Sequence, residues 1–425
     1  MYRHTNYLAE YGRIMQFNKN YAIPIHRWYP FVEGYSKDFI LSIINEVDKR
    51  EIVCLDPFSG SGTTALELQN LGIKCYSFEV NPFMYLVGKV KLENTYELDR
   101  VIYWNDFIKK NRNKFRIRKL DETFPTLFEN KNSKRFNYYK VAAIGIKKIQ
   151  YAIEEINDQK YKDLFTVALS AILINVSNLY RNGKCLSYKR NWITRKVDKE
   201  DVFLIFDRKV KNEIIEDIKN FSKKSVVNNG KLLYNEDSRR GLQNGIEDNS
   251  IDLVITSPPY LNSRDYTDTY MLELKTLGFV NSFNDLLDLR KKTLRSHVQI
   301  KWDDNTSFDN QLLNKTINEL NSASMINQKW NASIIDMVRL YFVDIKTIFE
   351  ALYRKTKRNG LIYFNVSNSA YYNTLINTLD ICASIAENVG FRIIEIRDAR
   401  YINSSPQQKK TINKLLEGVI VMEKK

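Results

Sequence analysis

The chain has 425 residues, 44% of them hydrophobic, and carries 65 Lys+Arg against 50 Asp+Glu for a formal charge of +15. An apolar share of that size with few Gly and Pro excludes disorder and predicts a packed core, in two or three domains at about 150 residues each. The charge concerns partners rather than fold, and nucleic acid is the first partner it suggests, against the plain alternative of a solvated basic surface.

Cys54, Cys75, Cys185 and Cys382 are scattered without paired spacing, which excludes a disulfide framework and a zinc site, so no metal is expected. The start, Met1-Tyr2-Arg3-His4, has no apolar segment of the secretory kind. The longest apolar segment, Leu164 to Tyr180, is interrupted by Ser170, Asn175, Ser177 and Asn178 and reads as a buried helix, not a membrane span. A cytoplasmic, reducing location is the resulting expectation.

Residues 1–21 carry little signal. Ile25-His26-Arg27-Trp28-Tyr29-Pro30-Phe31 precedes a helical pattern from Ser36 to Val47, which leads into a short buried strand at Ile52 to Leu55. Asp56-Pro57-Phe58-Ser59-Gly60-Ser61-Gly62-Thr63-Thr64 follows and opens a helix, Ala65 to Leu71. Its glycines permit a tight turn and close approach of a ligand to the backbone. The loop lacks the Lys of a phosphate-binding P-loop and the three-glycine spacing of a dinucleotide site. The next strand, Cys75 to Phe78, ends in Glu79, followed by Val80 and Asn81. An acid about 20 residues after a Gly-rich turn, at the end of the second strand, is placed to accept bonds from ribose hydroxyls. Turn and acid together favour a nucleoside-containing cofactor over a structural turn with a solvated Glu.

From about Thr95 to Gly230 the strand–helix alternation stops, and Tyr138 to Ile156 and Tyr161 to Tyr180 read as helices. Basic residues interleaved with aromatics surround them, best in Tyr180 to Arg190. Lys and Arg neutralise phosphates while aromatics stack on bases. The expected nucleic-acid contacts here are Arg181, Lys184, Tyr188, Lys189 and Arg190, although a charge run is as a rule a solvated face.

Alternation resumes with a strand at Leu232 to Asn235, followed by Asp237 and Ser238, and then Ile251 to Thr256. This second run stops at Ser257-Pro258-Pro259-Tyr260, because proline cannot continue a ladder. A polar loop with Asn262 and Arg264 and a helix around Tyr270 to Leu277 come next, and residues 280–330 are a possible second small insertion. A helix over Asp336 to Lys355, ended by Asn359-Gly360, leads to a strand at Leu361 to Val366 and a helix over Tyr371 to Val389. Strands at Phe391 to Ile396 and Leu416 to Met422 close the chain. These seven strand-like runs predict an α/β fold, a doubly wound, mostly parallel seven-stranded sheet with a helical inserted domain. The expected division is 1–95 and 231–425 for the core and 96–230 for the insertion, with ligands at the carboxyl ends of the strands.

In these motifs and their order the chain resembles bacterial S-adenosylmethionine-dependent DNA methyltransferases that act on exocyclic amines, on the side of the cytosine-N4 branch. Asp56 to Thr64 looks like the family's cofactor loop, Phe78 to Pro82 like its ribose-binding motif and Ser257 to Tyr260 like its catalytic tetrapeptide. His26 to Phe31 looks, less clearly, like the motif upstream of the cofactor loop. The resemblance implies a cofactor pocket drawn from Asp56, Phe58, Gly60, Gly62, Thr63, Glu79, Val80, Asn81, Asp237 and Ser238. In it Glu79 holds the ribose and Asp237 the adenine amine, while Phe58 and Phe83 either flank the cofactor or belong to the core. It also implies that Ser257 and Pro258 accept the hydrogens of the target amine, that Pro259 belongs to the same catalytic tetrapeptide, and that Tyr260 stacks on a base flipped from duplex DNA.

The leading expectation is a restriction–modification DNA methyltransferase acting on cytosine N4, working on bacterial nucleoid DNA with a cognate endonuclease as a functional partner. Adenine-N6 methylation is the near alternative, since the chemistry at the amine is the same. A catalytically silent nucleic-acid-binding protein of the same fold is the alternative of a different class. Target recognition is expected from residues 95–230, with 280–330 as a further contributor and Asn262 and Arg264 as further DNA contacts. Lys184→Ala or Lys189→Ala is expected to weaken DNA binding and lessen its salt dependence.

Overall fold

The computed structural model describes residues 2–48, 51–120, 123–183, 185–220, 227–261, 265–326, 331, 333–405, 408–409 and 411–425. In chain order the strands are β1 (His4–Asn6), β2 (Val53–Asp56), β3 (Lys74–Phe78), β4 (Leu179–Asn182), β5 (Cys185–Tyr188), β6 (Leu233–Tyr234), β7 (Ile251–Thr256), β8 (Thr356–Ser367), β9 (Ser369–Tyr371), β10 (Thr374–Ile376), β11 (Phe391–Asn403) and β12 (Lys414–Lys424). The main sheet runs β1-β11-β12-β8-β7-β2-β3-β6. It is parallel except where β12 lies antiparallel between β8 and β11.

The sheet has eight strands, not the expected seven. The seven apolar runs all lie in it, and the eighth is β1, which pairs with β11 at the edge. His-Thr-Asn has no apolar alternation, so nothing in its pattern marks a strand. The backbone supplies the pairing instead, with Ile396 N–H donating to the Arg3 carbonyl at 2.8 Å. A second difference concerns Asn359-Gly360, which sits inside β8 and not at a helix end. Asn359 is left-handed at φ 61°, and the ladder to β7 is irregular nearby, between Ile251 and Leu253. The helix expected from Tyr371 runs over Thr378–Val389, because the β9/β10 hairpin precedes it.

Alternating residues of the central strands face opposite layers, as the pleat requires. Leu253, Ile255, Tyr363 and Val421 join one core with the helices Lys37–Val47 and Thr63–Asn70. Val254, Ile362, Phe364 and Ile420 join the other with the helices Ser333–Lys355 and Thr378–Val389. The helices between Leu98 and Lys219 pack in a third cluster together with Trp28, Tyr29, Phe83 and Val87. That region thus shares its core with the segment before β2 and the helix after β3. Among the described residues no helix is long and apolar enough to cross a membrane.

Candidate active site

The chain leaves β2 toward β3 and β6 on one side, and β7 toward β8 on the other. The carboxyl ends of β2 and β7 flank this reversal, where a doubly wound sheet opens a crevice. A cavity of about 610 Å³ lies there, lined by Asp56, Glu79, Asp237, Ser257 and Asn365 at the strand ends. Phe31, Arg181, Tyr270, Thr293 and His297 line it as well.

Asp56 ends β2 and ties the two halves together, accepting from Thr256 Oγ1 at 2.7 Å and from the Phe58 N–H at 3.0 Å. Burial pushes its carboxyl up to about 6 despite these bonds. Gly60 follows in the left-handed region, at φ +52°. A Cβ there would meet Phe31 Cζ at 2.8 Å, so the loop admits only glycine without movement. Gly62, also left-handed, serves packing: its Cβ position lies 3.2 Å from the Gly88 Cα.

Glu79 faces the same loop. Its Oε2 accepts from the Gly60 N–H and its Oε1 from the Asn81 N–H, both at 2.8 Å. Burial pushes its carboxyl up to about 8, and the two N–H donors oppose the rise. Each carboxylate oxygen keeps a lone-pair site beyond its N–H, which suits a pair of hydroxyl donors. Asn81 caps the helix Pro82–Leu92 by accepting from the Phe83 and Met84 N–H groups. Phe58, Thr63, Val80 and Asn81 line the cavity, whereas Phe83 is fully buried among Tyr29, Tyr270 and Phe279.

Asp237 and Ser238 reach the cavity from the end of β6. Ser238 Oγ donates to the Pro57 carbonyl, locking this turn to the glycine loop. Asp237 caps its helix through the Arg239 N–H at 3.0 Å and pairs with the Arg239 guanidinium at 2.7 Å. Arg239 continues to Asp344 at 2.9 Å and to the carbonyls of Lys292 and Thr293. The acid expected for the adenine amine is thus part of a charge network that also holds Lys292 and Thr293 of the cavity lining.

Ser257 to Tyr260 all line the cavity. The Tyr260 N–H donates to Tyr266 Oη at 2.9 Å, which fixes the turn after the prolines. Ser257 Oγ donates to Tyr260 Oη at 3.4 Å, leaving the serine oxygen to accept. Tyr260 Oη in turn donates to Glu417 Oε1 at 2.9 Å, and burial holds its phenol proton well beyond the ordinary tyrosine range. Asn365, Arg400, Glu417, Thr293 and His297 were not expected in the site. The signal for Asn365 and Glu417 is a polar residue in an apolar strand run.

The basic element is placed differently from the expectation. Arg181 lines the cavity, but its guanidinium pairs with buried Glu273 at 2.5 Å and donates to Tyr29 Oη at 2.7 Å. Lys189 Nζ donates to the carbonyls of Ile174, Asn175 and Ser177 at 2.5–3.1 Å, which closes the end of the helix Gln159–Val176. Its ammonium caps a helix where a phosphate contact was expected, because the β4/β5 hairpin folds it back. Tyr188 packs beside Trp192 with Arg135 over its ring, and among the described residues of this set only Arg190 is exposed. Lys184, Asn262 and Arg264 lie outside the described residues.

A family model described as DNA methylase, for N6 and N4 enzymes, matches residues 31–90, the stretch that holds the glycine loop and Glu79. The chain is 28% identical to the Type II methyltransferase M.BsoBI of Geobacillus stearothermophilus, over 93% of this chain and 84% of that one. It is 27% identical to the Type II methyltransferase M.AvaI of Nostoc sp., over 90% and 82%. It is 25% identical to the Type II methyltransferase M.MvaI of Kocuria varians, over 58% and 55%.

Proposed function

We propose that this chain, which belongs to the amino DNA methyltransferase family, transfers a methyl group from S-adenosylmethionine to the exocyclic N4 amine of cytosine in duplex DNA, as the modifying enzyme of a Type II restriction–modification system. One observation carries the reading: a single cavity holds the Gly60–Glu79 pair and the Ser257 to Tyr260 turn. A nucleoside-bearing ligand fits these residues. Glu79 offers two acceptor oxygens, a Cβ at Gly60 would narrow the loop, and the volume lies within the range of about 300–1,000 Å³ that encloses small organic ligands. Bound there, S-adenosylmethionine supplies an electrophilic methyl group on a sulfonium.

The chain's own residues do the rest. Glu79 accepts the ribose hydroxyls, and Asp237, with Ser238 behind it, borders the adenine end. The target amine is a poor nucleophile because its lone pair is delocalised into the ring. The Pro258 carbonyl and Ser257 Oγ accept its two hydrogens, which localises that lone pair toward the methyl group. Acceptors fixed before the reaction stabilise the transition state more than the ground state, and so raise rate. The ring of Tyr260 stacks on the flipped base. The residues 96–230 present the DNA, to which the formal charge of +15 draws the chain. Ser in the first tetrapeptide position favours cytosine over adenine.

Nucleoside mass spectrometry of DNA from cells expressing the chain tests this. N4-methylcytosine is the expected product, and N6-methyladenine in its place reverses the base assignment. Calorimetric titration with S-adenosylmethionine separates an enzyme, which binds it, from a silent DNA-binding protein, which does not.

A further inference from the structure

Behind Ser257 the hydrogen-bond donors point one way. Asn365 Nδ2 donates to Ser257 Oγ at 3.4 Å and to Tyr260 Oη at 2.8 Å. Ser257 donates to Tyr260 at 3.4 Å, and Tyr260 donates to Glu417 Oε1 at 2.9 Å. The sequence of bonds ends on the Glu417 carboxylate, whose other oxygen, Oε2, accepts from Arg400 Nε at 2.7 Å. Glu417 is 1% exposed and stands among apolar neighbours on β12.

A carboxylate so placed needs a cation, and Arg400 on Oε2 meets that need. Oε1 faces elsewhere, toward Tyr260 and, at 3.4 Å, Asn365 Nδ2. All of these residues line the cavity. The tetrapeptide itself carries no carboxylate, so the nearest one linked to Ser257 through hydrogen bonds is Glu417.

We propose that Glu417 is the terminal acceptor of the proton released from the target amine, reached through Ser257 and Tyr260. The inference rests on the methyltransferase reading above. The nitrogen lone pair forms the bond to the methyl carbon, and the carbon–sulfur pair leaves with sulfur. The amine then holds one hydrogen too many and a positive charge. That proton passes to Ser257 Oγ, the serine proton to Tyr260 Oη, and the tyrosine proton to Glu417 Oε1. The methylated base and both hydroxyls end neutral, and Glu417 returns its proton to water once product leaves. The 3.4 Å Ser257–Tyr260 step is the long one, and such contacts tighten when substrate is seated. The charged and titratable groups facing Glu417 are Arg400 from β11 and, across the turn after β7, Tyr260 with Tyr266 behind it. Glu417 acts through Tyr260 and Ser257, and so is a positioning residue in the strict sense.

The test uses the full chain, Glu417→Gln, Tyr260→Phe and the double variant, in single-turnover methyl transfer to duplex DNA across a pH series. Titration with S-adenosylmethionine runs alongside. Tyr260→Phe keeps the ring and leaves the Glu417–Arg400 pair intact, so it decides the matter even where Glu417→Gln does not fold. The expected loss is about 100-fold in each variant, the lower range for a lost proton-transfer group. The double variant is expected to be no slower than the singles, since linked groups fail as a unit. Cofactor affinity stays within about threefold, and the dependence of rate on pH changes shape in the variants. Rates within about threefold of wild type, losses that multiply in the double variant, or an unchanged pH profile would each overturn the relay alone. A wild-type chain that labels no DNA overturns the methyltransferase reading and the relay with it.

Discussion

The carboxyl edge of the sheet and the helical region from 96 to 230 both carry polar side chains that look functional in the sequence, yet they hold them in opposite ways. At the sheet edge Glu79 is fixed by two N–H groups of its own loops and still faces a cavity. In the helical region Arg181 pairs with Glu273, Arg112 with Asp207, and Lys209 donates to the Arg27 carbonyl. A basic residue in this region is therefore not a surface contact by its charge alone: these three are partly buried and paired, while Lys110, Arg116, Arg118, Lys131 and Lys134 are exposed. An acid held by backbone N–H groups at the ends of two consecutive strands can be read from the sequence. A basic side chain cannot, because its partner is decided by the fold: Glu273 lies 92 positions from Arg181.

The strongest way to break that contrast is Arg181→Ala. Arg181 and Glu273 side chains are 12% and 0% exposed, so the truncation strands a buried carboxylate. The expected cost is about 3–5 kcal/mol, the usual result of removing one partner of a buried pair. Urea unfolding reads it as a lower midpoint. Unchanged stability with strongly weakened DNA binding would show that the guanidinium serves a phosphate after all.

Glu79→Gln sharpens the other side. Burial holds the folded carboxyl at about 8, against about 4.3 in an unfolded chain. Between those values the folded state binds more protons, so stability falls as pH rises through the window. Without ligand, Glu79→Gln should melt above wild type at pH 8 and beyond, with the difference vanishing below about pH 4. Above about pH 8, where the carboxyl is ionised, the same change should weaken S-adenosylmethionine binding about 10- to 100-fold, as expected for lost bonds to a charged acceptor. A variant less stable at every pH, with affinity intact, would make Glu79 a structural brace.

How much was legible follows the same division. The apolar runs within seven of the eight main-sheet strands are visible because burial on both faces demands them, whereas β1 is three polar residues held to β11 by its backbone ladder and by the Thr5–Glu395 and His4–Asp398 side-chain bonds. Gly60 and Glu79 were legible because they follow the carboxyl ends of two adjacent parallel strands, β2 and β3. Gly62 was legible as a glycine but not as a packing partner of Gly88, which needs the crossing helix. Asn365 and Glu417 appear in the sequence only as polar breaks in apolar runs, and their meeting at Tyr260 depends on β12 lying beside β8. The inward turn of Lys189 depends on a hairpin that no alternation announces.

Lys189 gives the smallest and most discriminating effect. Its ammonium closes the last turn of the helix Gln159–Val176, a contact between a cation and a helix C-terminus worth about 0.3–1 kcal/mol when exposed. Burial, with Arg195 nearby, lowers its pKa to about 8, while an unfolded lysine titrates near about 10.4. Between those values the unfolded chain binds the extra proton, so this residue makes stability rise with pH across the window. Lys189→Met removes that contribution. Its melting temperature should fall slightly below wild type at neutral pH, and the wild-type advantage should grow between about pH 8 and 10.4. Its DNA affinity should keep the full salt slope, since no phosphate contact is lost. A salt slope reduced by about one, with melting unchanged, would return Lys189 to the DNA face and erase the contrast between the two regions.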